Sequence, residues 1–508
     1  MASEDVRAGG LAGEPKDPSP AGLQDPGVTG PREPSVGVDE WVARSAQRRT
    51  YAPGRLGDAQ RRLERVGWWP RLLAVAVLAA VIPQLGLNQF QLQIGINALL
   101  LSILAVGLNV AVGWAGLLDL GYIAFYGFGA YGFALLSSNQ LSASGIHLHA
   151  WESIPIVMVG GAILGLIVGF PSRRLIGDYL AIVTLFFGEA FVEFTNNVAP
   201  SKLGGPNGIF GLDPIRAFGT QILTNTGYFY LLLVLLVLSI AVLRLLDTSR
   251  TGRAWRAVRE DPLAASLMTI PVNRVKLMAF AFGAMVAAMA GAVYAAQQTS
   301  VFPTDFDTPV LILIYAGLIL GGAGSLAGAV LGAVVIEITY DGLLRSPTWA
   351  GAIFYVLILL TLVVKLRPWR RLAGVLGGTV ALGFAAHAIA KAISASAVAG
   401  GPQSGGIIHD ALVNWVIVPA NSAGNIPTGP GNAGFIVLIA LVIALAQLRG
   451  RWRTILMVPT LYLAACVWEM RLVGTPSTTR LILIGAILIV MMNARPQGLL
   501  GSRRVEVV

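Results

Sequence analysis

The chain has 508 residues, of which 55% are hydrophobic and only 12% charged. Soluble domains carry about 25% charged residues, so a water-soluble enzyme or binding domain is excluded and lipid must be the solvent. The formal net charge of +10 does not point to nucleic acid, because the basic residues fall between apolar runs, where they set membrane orientation.

Residues 1–70 are polar, with Pro, Gly, Asp, Glu and Arg interspersed. They cannot bury enough apolar surface to offset chain entropy, which predicts a disordered cytoplasmic tail. Within 58–69 (DAQRRLERVGWW) a short amphipathic helix on the membrane surface is expected. A membrane helix needs roughly 20 apolar residues. The candidates are 71–87, 94–113, 117–137, 154–171, 178–194, 228–246, 276–297, 309–340, 350–365, 372–392, 434–448, 453–468 and 480–493, with 407–419 a weaker one. The predicted fold is an all-α polytopic membrane protein built as a multi-helix transmembrane bundle.

Lys and Arg fix the expected topology. With Arg61, Arg62, Arg65 and Arg71 inside, Arg173 and Arg174 also fall inside, as does the loop 247–275 with Arg250, Arg253, Arg256, Arg259 and Arg274. The segment 309–340 decides the rest. Crossing once, it puts Lys365, Arg367, Arg370 and Arg371 outside. Broken or re-entrant at GGAGS (321–325), it puts them inside, together with Arg449, Arg451, Arg453, Arg495, Arg503 and Arg504. The broken form satisfies three downstream loops, so both termini are expected in the cytoplasm and the loop 394–433, free of Lys and Arg, outside. Gly161, Gly165 and Gly169 repeat every four residues, as do Gly324, Gly328 and Gly332, which predicts close helix packing.

Charges at membrane depth are costly and face a cavity or a partner. Asp119 lies in GLLDLGYIAFYGFGAY, followed by Tyr122. Glu189 and Glu193 lie four apart on one helix face in TLFFGEAFVEFTNN, which ends at Asn196 and Asn197. The loop SKLGGPNGIFGL follows, its Gly204, Gly205, Asn207 and Gly208 suited to tight turns. These are the candidate substrate-pathway residues; structural hydrogen bonds between helices and a compact loop are the alternative reading. The sequence has no Gly-rich phosphate loop and no catalytic constellation. His147 and His149 form an HxH, but no Cys or carboxylate pair completes a metal shell, so no metal or other cofactor is expected. Cys466, alone in an apolar segment, reads as a buried structural thiol.

The stretch 249–277, SRTGRAWRAVREDPLAASLMTIPVNRVKL, is too long and patterned for a connector. Arg253, Arg256 and Arg259 mark one helical face. Glu260-Asp261-Pro262 opens a second helix, with acid near its positive end and Pro in its first turn. Leu263, Leu267 and Ile270 add a short apolar face, so a docking knob held outside the membrane is expected at residues 260–268.

At these residues the chain resembles the M-type permease subunits of the branched-chain amino acid ABC importers. The matching stretches are GLNVAVGWAGLLDLGYIAFYGFGAY, GDYLAIVTLFFGEAFVEFTNN, GGPNGI, SRTGRAWRAVREDPLAASLMTIPVNRVKLMAF, LGGAGSLAGAVLGA and RPQGLLG, in the family's order. The resemblance covers about residues 90–340 and resumes near 469. It implies a cytoplasmic coupling loop seated in an ATPase groove, with Gly252, Arg253, Arg259, Glu260, Asp261, Ala264 and Ala265 on the coupling side. It also implies a heterodimer with a second homologous permease, two ATPase subunits, an extracytoplasmic solute-binding protein, a lipid surround and a bacterial inner-membrane location. Family members usually have Gly at the position of Thr269, so the turn there is expected to differ. Residues 341–468 look like an inserted annex ahead of a final span and cytoplasmic end, 469–508. Leucine-type amino acids, other amino acids, urea and short amides all remain open as substrates. A secondary transporter is the nearest other class; no inverted repeat is visible, and it leaves 249–277 unexplained.

Overall fold

The computed structural model describes residues 67–138, 148–172, 178–198, 200–217, 220–366, 369–421, 426–448, 450–474, 476–495 and 497–501. Nearly all of the expected tail and surface helix lies outside the described residues, as do His147, Arg173, Arg174, Arg367 and Arg449. The chain divides between Arg71 and Leu72, and the bundle belongs to the unit that begins at Leu72.

Lipid offers the backbone no hydrogen-bond partners, so each apolar run closes its bonds within itself and becomes a helix. Among the described residues ten helices are long and apolar enough to span a membrane, and three shorter apolar helices accompany them. The chain is an all-α polytopic membrane protein. In order, the helices are α1 (Trp68–Val81), α2 (Gln89–Leu108), α3 (Tyr122–Ser137), α4 (Ala150–Ser172), α5 (Asp178–Asn197) and α6 (Asn225–Thr248). Two short helices follow, α7 (Arg250–Glu260) and α8 (Pro262–Leu267), then α9 (Val272–Gln298), α10 (Thr308–Gly321) and α11 (Leu326–Glu337). Last come α12 (Pro347–Lys365), α13 (Trp369–Ile393), α14 (Thr428–Gln447), α15 (Arg451–Gly474) and α16 (Pro476–Ala494). The weaker candidate 407–419 is not a span: its only helix is the short Ile407–Leu412.

The 309–340 segment is broken, as the charge pattern requires. The chain turns through Gly322 (φ 109°) and Gly324 (φ 100°), where only glycine is unstrained. Ser325 then caps α11 by accepting a hydrogen bond from Gly328 N. The two arms touch backbone to backbone: a Cβ on Gly317 would stand 2.9 Å from Ala333 Cα, and one on Gly328 2.6 Å from Gly321 O. The hairpin spans the bundle. Its turn lies beside Gly113, at the far end of α2, while α11 continues as a π-helical turn, Ile338–Leu343, that reaches Ile94 near the start of α2. A shallow re-entrant loop is therefore not what forms here.

The core gathers around α2, which is buried almost throughout from Ile96. Its last turn, Asn109–Trp114, is π-helical. The row Gly161, Gly165, Gly169 of α4 faces α9, where added Cβ atoms would lie 2.5 Å from Ala288 Cβ, 2.7 Å from Ala284 Cβ and 3.1 Å from Leu277 Cδ2. Small residues thus let two backbones approach without a ridge between them. The described C-terminal residues return to the hairpin, with Leu499 N and Leu500 N donating to Leu320 O and Gly321 O at 2.9 Å. The annex has a small core of its own, Leu412, Val416, Val418, Tyr462 and the free thiol of Cys466. It joins the main core through Ala350 and Trp468, and Phe354 of α12 stacks on Trp468 at 4.2 Å.

Candidate translocation face and coupling end

Helix α5 presents Glu189, Glu193 and Asn197 on its exposed side, in line with exposed Tyr179, Ile182 and Phe186. Glu189 accepts a hydrogen bond from Thr308 Oγ1 at the start of α10. Glu193 accepts from Asn197 Nδ2 at 2.6 Å, one turn along. Asn196 is half-buried, its carbonyl oxygen lying close to Gly205. A face that runs from aromatic residues into two carboxylates does not suit lipid over its whole length.

The loop after α5 is pinned in place. Gly205–Asn207 make one turn of 3-10 helix, and Ile209–Phe210 pair antiparallel with Ser300–Val301, Ile209 opposite Val301. Gly208 lies so close to Val301 O that no side chain fits. Gly204, Gly205, Asn207 and Gly208 therefore form a fixed cap that ties the end of α5 to the chain leaving α9.

Asp119 lies behind this face. It is 1% exposed, in the extended stretch between α2 and α3. Its Oδ1 accepts from Gly121 N at 3.1 Å, a local turn of the kind short acids favour. Tyr315 of α10 donates to its carbonyl oxygen at 2.6 Å. Next to it, Leu120 N donates to Thr184 Oγ1 of α5 at 3.0 Å. Tyr122 is buried beside this knot, its hydroxyl against Gly107. Asp119 is interior and Glu189 exposed, so they do not present one common face, although Leu120 and Gly121 lie against Gly188, the neighbour of Glu189.

At the other end of the bundle, α7 and α8 project as a pair. Ser249 opens α7 by accepting from Thr251 N and Gly252 N. Glu260 is the last residue of α7, and Asp261 caps α8, accepting from Leu263 N at 2.8 Å and Ala264 N at 3.1 Å. Pro262 fills the first turn, where its missing N–H costs nothing. The turn after α8 puts Thr269 at φ 64°. A β-branched residue thus stands in the left-handed region, where it is strained.

The exposed face of α8 is Leu263, Leu267 and Met268, the last two 84% and 76% exposed. Glu260, Asp261 and Ala264 are exposed beside them. Ala265 points inward and is buried, and Ile270 is half-buried, so neither belongs to that face. Met268 takes the place expected of Ile270, because the turn at Thr269 redirects the chain.

The three arginines expected on one face of α7 part company. Arg253 is exposed and donates to Thr248 O at 3.1 Å. Arg256 pairs with Asp247. Arg259 is half-buried and turned inward, donating to Gly113 O. Gly252 is buried against the carbonyls of Leu246 and Asp247, where a side chain has no room. Trp255 anchors the pair: it is fully buried, donates to Val275 O at 2.8 Å and stacks on Trp114 at 5.9 Å.

One buried acid outside these groups carries more hydrogen bonds than any of them. Glu469 of α15 is 0% exposed. It accepts from Tyr355 OH at 2.9 Å, from Gln403 N and Ser404 N at 2.8 Å each, and from Ser404 Oγ at 2.6 Å. Its signal in the sequence is a single acid in the apolar run YLAACVWEM. Among the described residues no three of His, Cys, Asp and Glu gather as a metal site would need.

A polytopic bundle with a broken span and a projecting helix pair has the build of a transport permease. Residues 91–366 match the family described as branched-chain amino acid transport system, permease component, and the chain belongs to that family. The match takes in α12, which the resemblance left in the annex. The chain is 37% identical over 294 residues to the high-affinity branched-chain amino acid transport system permease protein LivM of Escherichia coli strain K12, covering 53% of this chain and 67% of that protein. It is 26% identical over 278 residues to the permease protein LivH of the same strain, covering 52% and 88%. It is 28% identical over 244 residues to the autoinducer 2 import system permease protein LsrC of Salmonella paratyphi B, covering 43% and 65%. No solved structure matches the chain.

Proposed function

We propose that the chain is the membrane-spanning permease subunit of an ATP-driven importer for branched-chain amino acids or close relatives. It pairs with a second homologous permease, two ATPase subunits and an extracytoplasmic solute-binding protein, and it hydrolyses no ATP itself. The observation that carries this reading is the α7–α8 knob. Leu263, Leu267 and Met268 stand exposed at one end of the bundle, fenced by Glu260 and Asp261, on the side that the arginine-rich loop marks as cytoplasmic. An apolar patch with an acidic rim has no use in water or on anionic headgroups and suits a protein groove.

The α5 face supports the second half of the reading. Glu189 and Glu193 lie at the seam with the partner permease, where Asn196 and Asn197 join them along a polar path. The backbone of Asp119 and Leu120 acts from behind, tying the start of α3 to α10 and α5, while Tyr122 packs against α2 and α9. Residues 71–366, which take in the family-matched stretch, form the transport core, the residues from 369 to the end of α15 at 474 a peripheral annex, and both termini are cytoplasmic.

The test is reconstitution of the full complex in proteoliposomes. ATP-dependent uptake of labelled leucine that stops when this chain is omitted supports the proposal. Uptake that persists without it, or that follows an ion gradient without ATP, overturns it.

A further inference from the structure

The inward turn of Arg259 is unexplained by docking. We propose that Arg259 is a positioning residue that transmits movement of the α7–α8 pair to the pathway helices and makes no contact with the ATPase. This rests on the proposed function above and deepens it.

Three elements meet at this side chain. Its own helix, α7, belongs to the docking pair. Gly113, whose carbonyl oxygen it engages, lies in the π-helical end of α2. Gly324, in the turn of the α10–α11 hairpin, lies so near that a Cβ there would stand 3.2 Å from Arg259 Nη1. Gly116 makes room from the remaining side, since a Cβ there would stand 2.8 Å from Arg259 Cγ. The joint is cross-braced around the guanidinium. Gly324 N donates to Asn109 Oδ1 at 2.7 Å, and Trp114 Nε1 donates to Gly324 O at 3.3 Å. Trp114 also stacks on Trp255 of α7.

The consequences run toward the pathway. The stretch that follows Gly116 carries Asp119, whose carbonyl is held by Tyr315 of α10, and Leu120, held by Thr184 of α5. A displacement of α7 therefore pulls on the end of α2 and on the hairpin turn together. Both are places where the regular helix ladder is interrupted, so both yield before a packed helix does. A guanidinium suits this post because it is always charged and its planar fork presents several donors in fixed directions, where an ammonium is a single point. A carbonyl oxygen accepts from it, and a charge-assisted bond of this kind is stronger than a neutral one.

The test compares wild type with Arg259→Lys and Arg259→Gln in the full complex, measuring three things. These are co-purification of the ATPase subunits, ATP hydrolysis stimulated by substrate-loaded binding protein, and leucine uptake per ATP hydrolysed. Both variants are expected to keep the ATPase bound while uptake per ATP falls about tenfold or more, from loss of one charge-assisted bond at a shared joint, the Lys variant less severely than the Gln. Should the Gln variant fail to reach the membrane, the Lys variant decides. Normal uptake per ATP in the Lys and Gln variants overturns the inference. Loss of bound ATPase also overturns it, because Arg259 would then be a docking residue. A wild-type chain that binds no ATPase instead refutes the proposed function.

Discussion

In the core, Gly161 and Gly165 bring α4 onto α9 with nothing thicker than an alanine methyl between them. In the annex, the equivalent task of fixing one segment on another falls to the carboxylate of Glu469 and its four donors. The core spreads its cohesion over many shallow contacts, each worth little. The annex concentrates it in one polar knot, where each donor would go unsatisfied without the acid. The first arrangement allows small sliding of helices during a transport cycle; the second fixes a loop and allows none. That contrast supports a moving core with a static annex beside it.

The largest effect is expected where the knot is cut. Glu469→Ala leaves Tyr355, Ser404 and two backbone N–H groups without their acceptor, at a cost of about 3–5 kcal/mol to the annex. Proteolysis within 394–421 is expected to rise sharply while leucine uptake stays near wild type. Lost uptake with an intact complex would join the annex to the mechanism and erase the contrast. Next comes Gly165→Leu, which drives a branched side chain into Ala284 and the carbonyl of Phe280. Overpacking there costs about 1–3 kcal/mol, read as a lower unfolding temperature in detergent together with lost uptake. A smaller effect separates two adjacent alanines. Ala264→Arg adds bulk on the exposed face and is expected to release the ATPase without changing detergent stability. Ala265→Arg forces charge into a buried site and is expected to lower stability as well. Equal stability of the two variants would mean that the α8 face is wrongly drawn. The smallest effect is a gain: Thr269→Gly relieves the φ of 64° and is expected to stabilise by about 1 kcal/mol or less, seen as a small rise in unfolding temperature.

Much of the fold was legible because lipid imposes one rule on the backbone. Long apolar runs had to be helices, and the Lys and Arg residues at 365–371 and 449–453 called for the break at 321–325 that the structure shows. The start of α8 was equally plain, since Glu260-Asp261-Pro262 sets acid just ahead of a helical run with Pro in its first turn; the cap that Ser325 makes on α11 appears only in the structure. The site was legible in part. Sequence spacing put Arg253, Arg256 and Arg259 on one face, but contacts with Gly113 and Asp247 drew Arg259 and Arg256 apart, while Arg253 stays on the nearby Thr248 carbonyl. Asp119 and Glu189 both announce themselves as acids in apolar runs, yet only packing reveals that one closes a local turn and the other lies on a surface. Glu469 carried the same signal; its role depends on Gln403 and Ser404, some 65 residues away, which no local pattern connects.

The central claim is that α8 seats on an ATPase, and a cross-link tests it most directly. Leu267→Cys in a Cys466→Ser background places one thiol at the tip of the exposed face. In membranes holding the whole complex, a bifunctional thiol reagent is expected to join this chain to the ATPase subunit, with ATP changing the yield. A thiol at 267 that instead reacts with membrane-impermeant reagent added from outside, with no ATPase product, would contradict it.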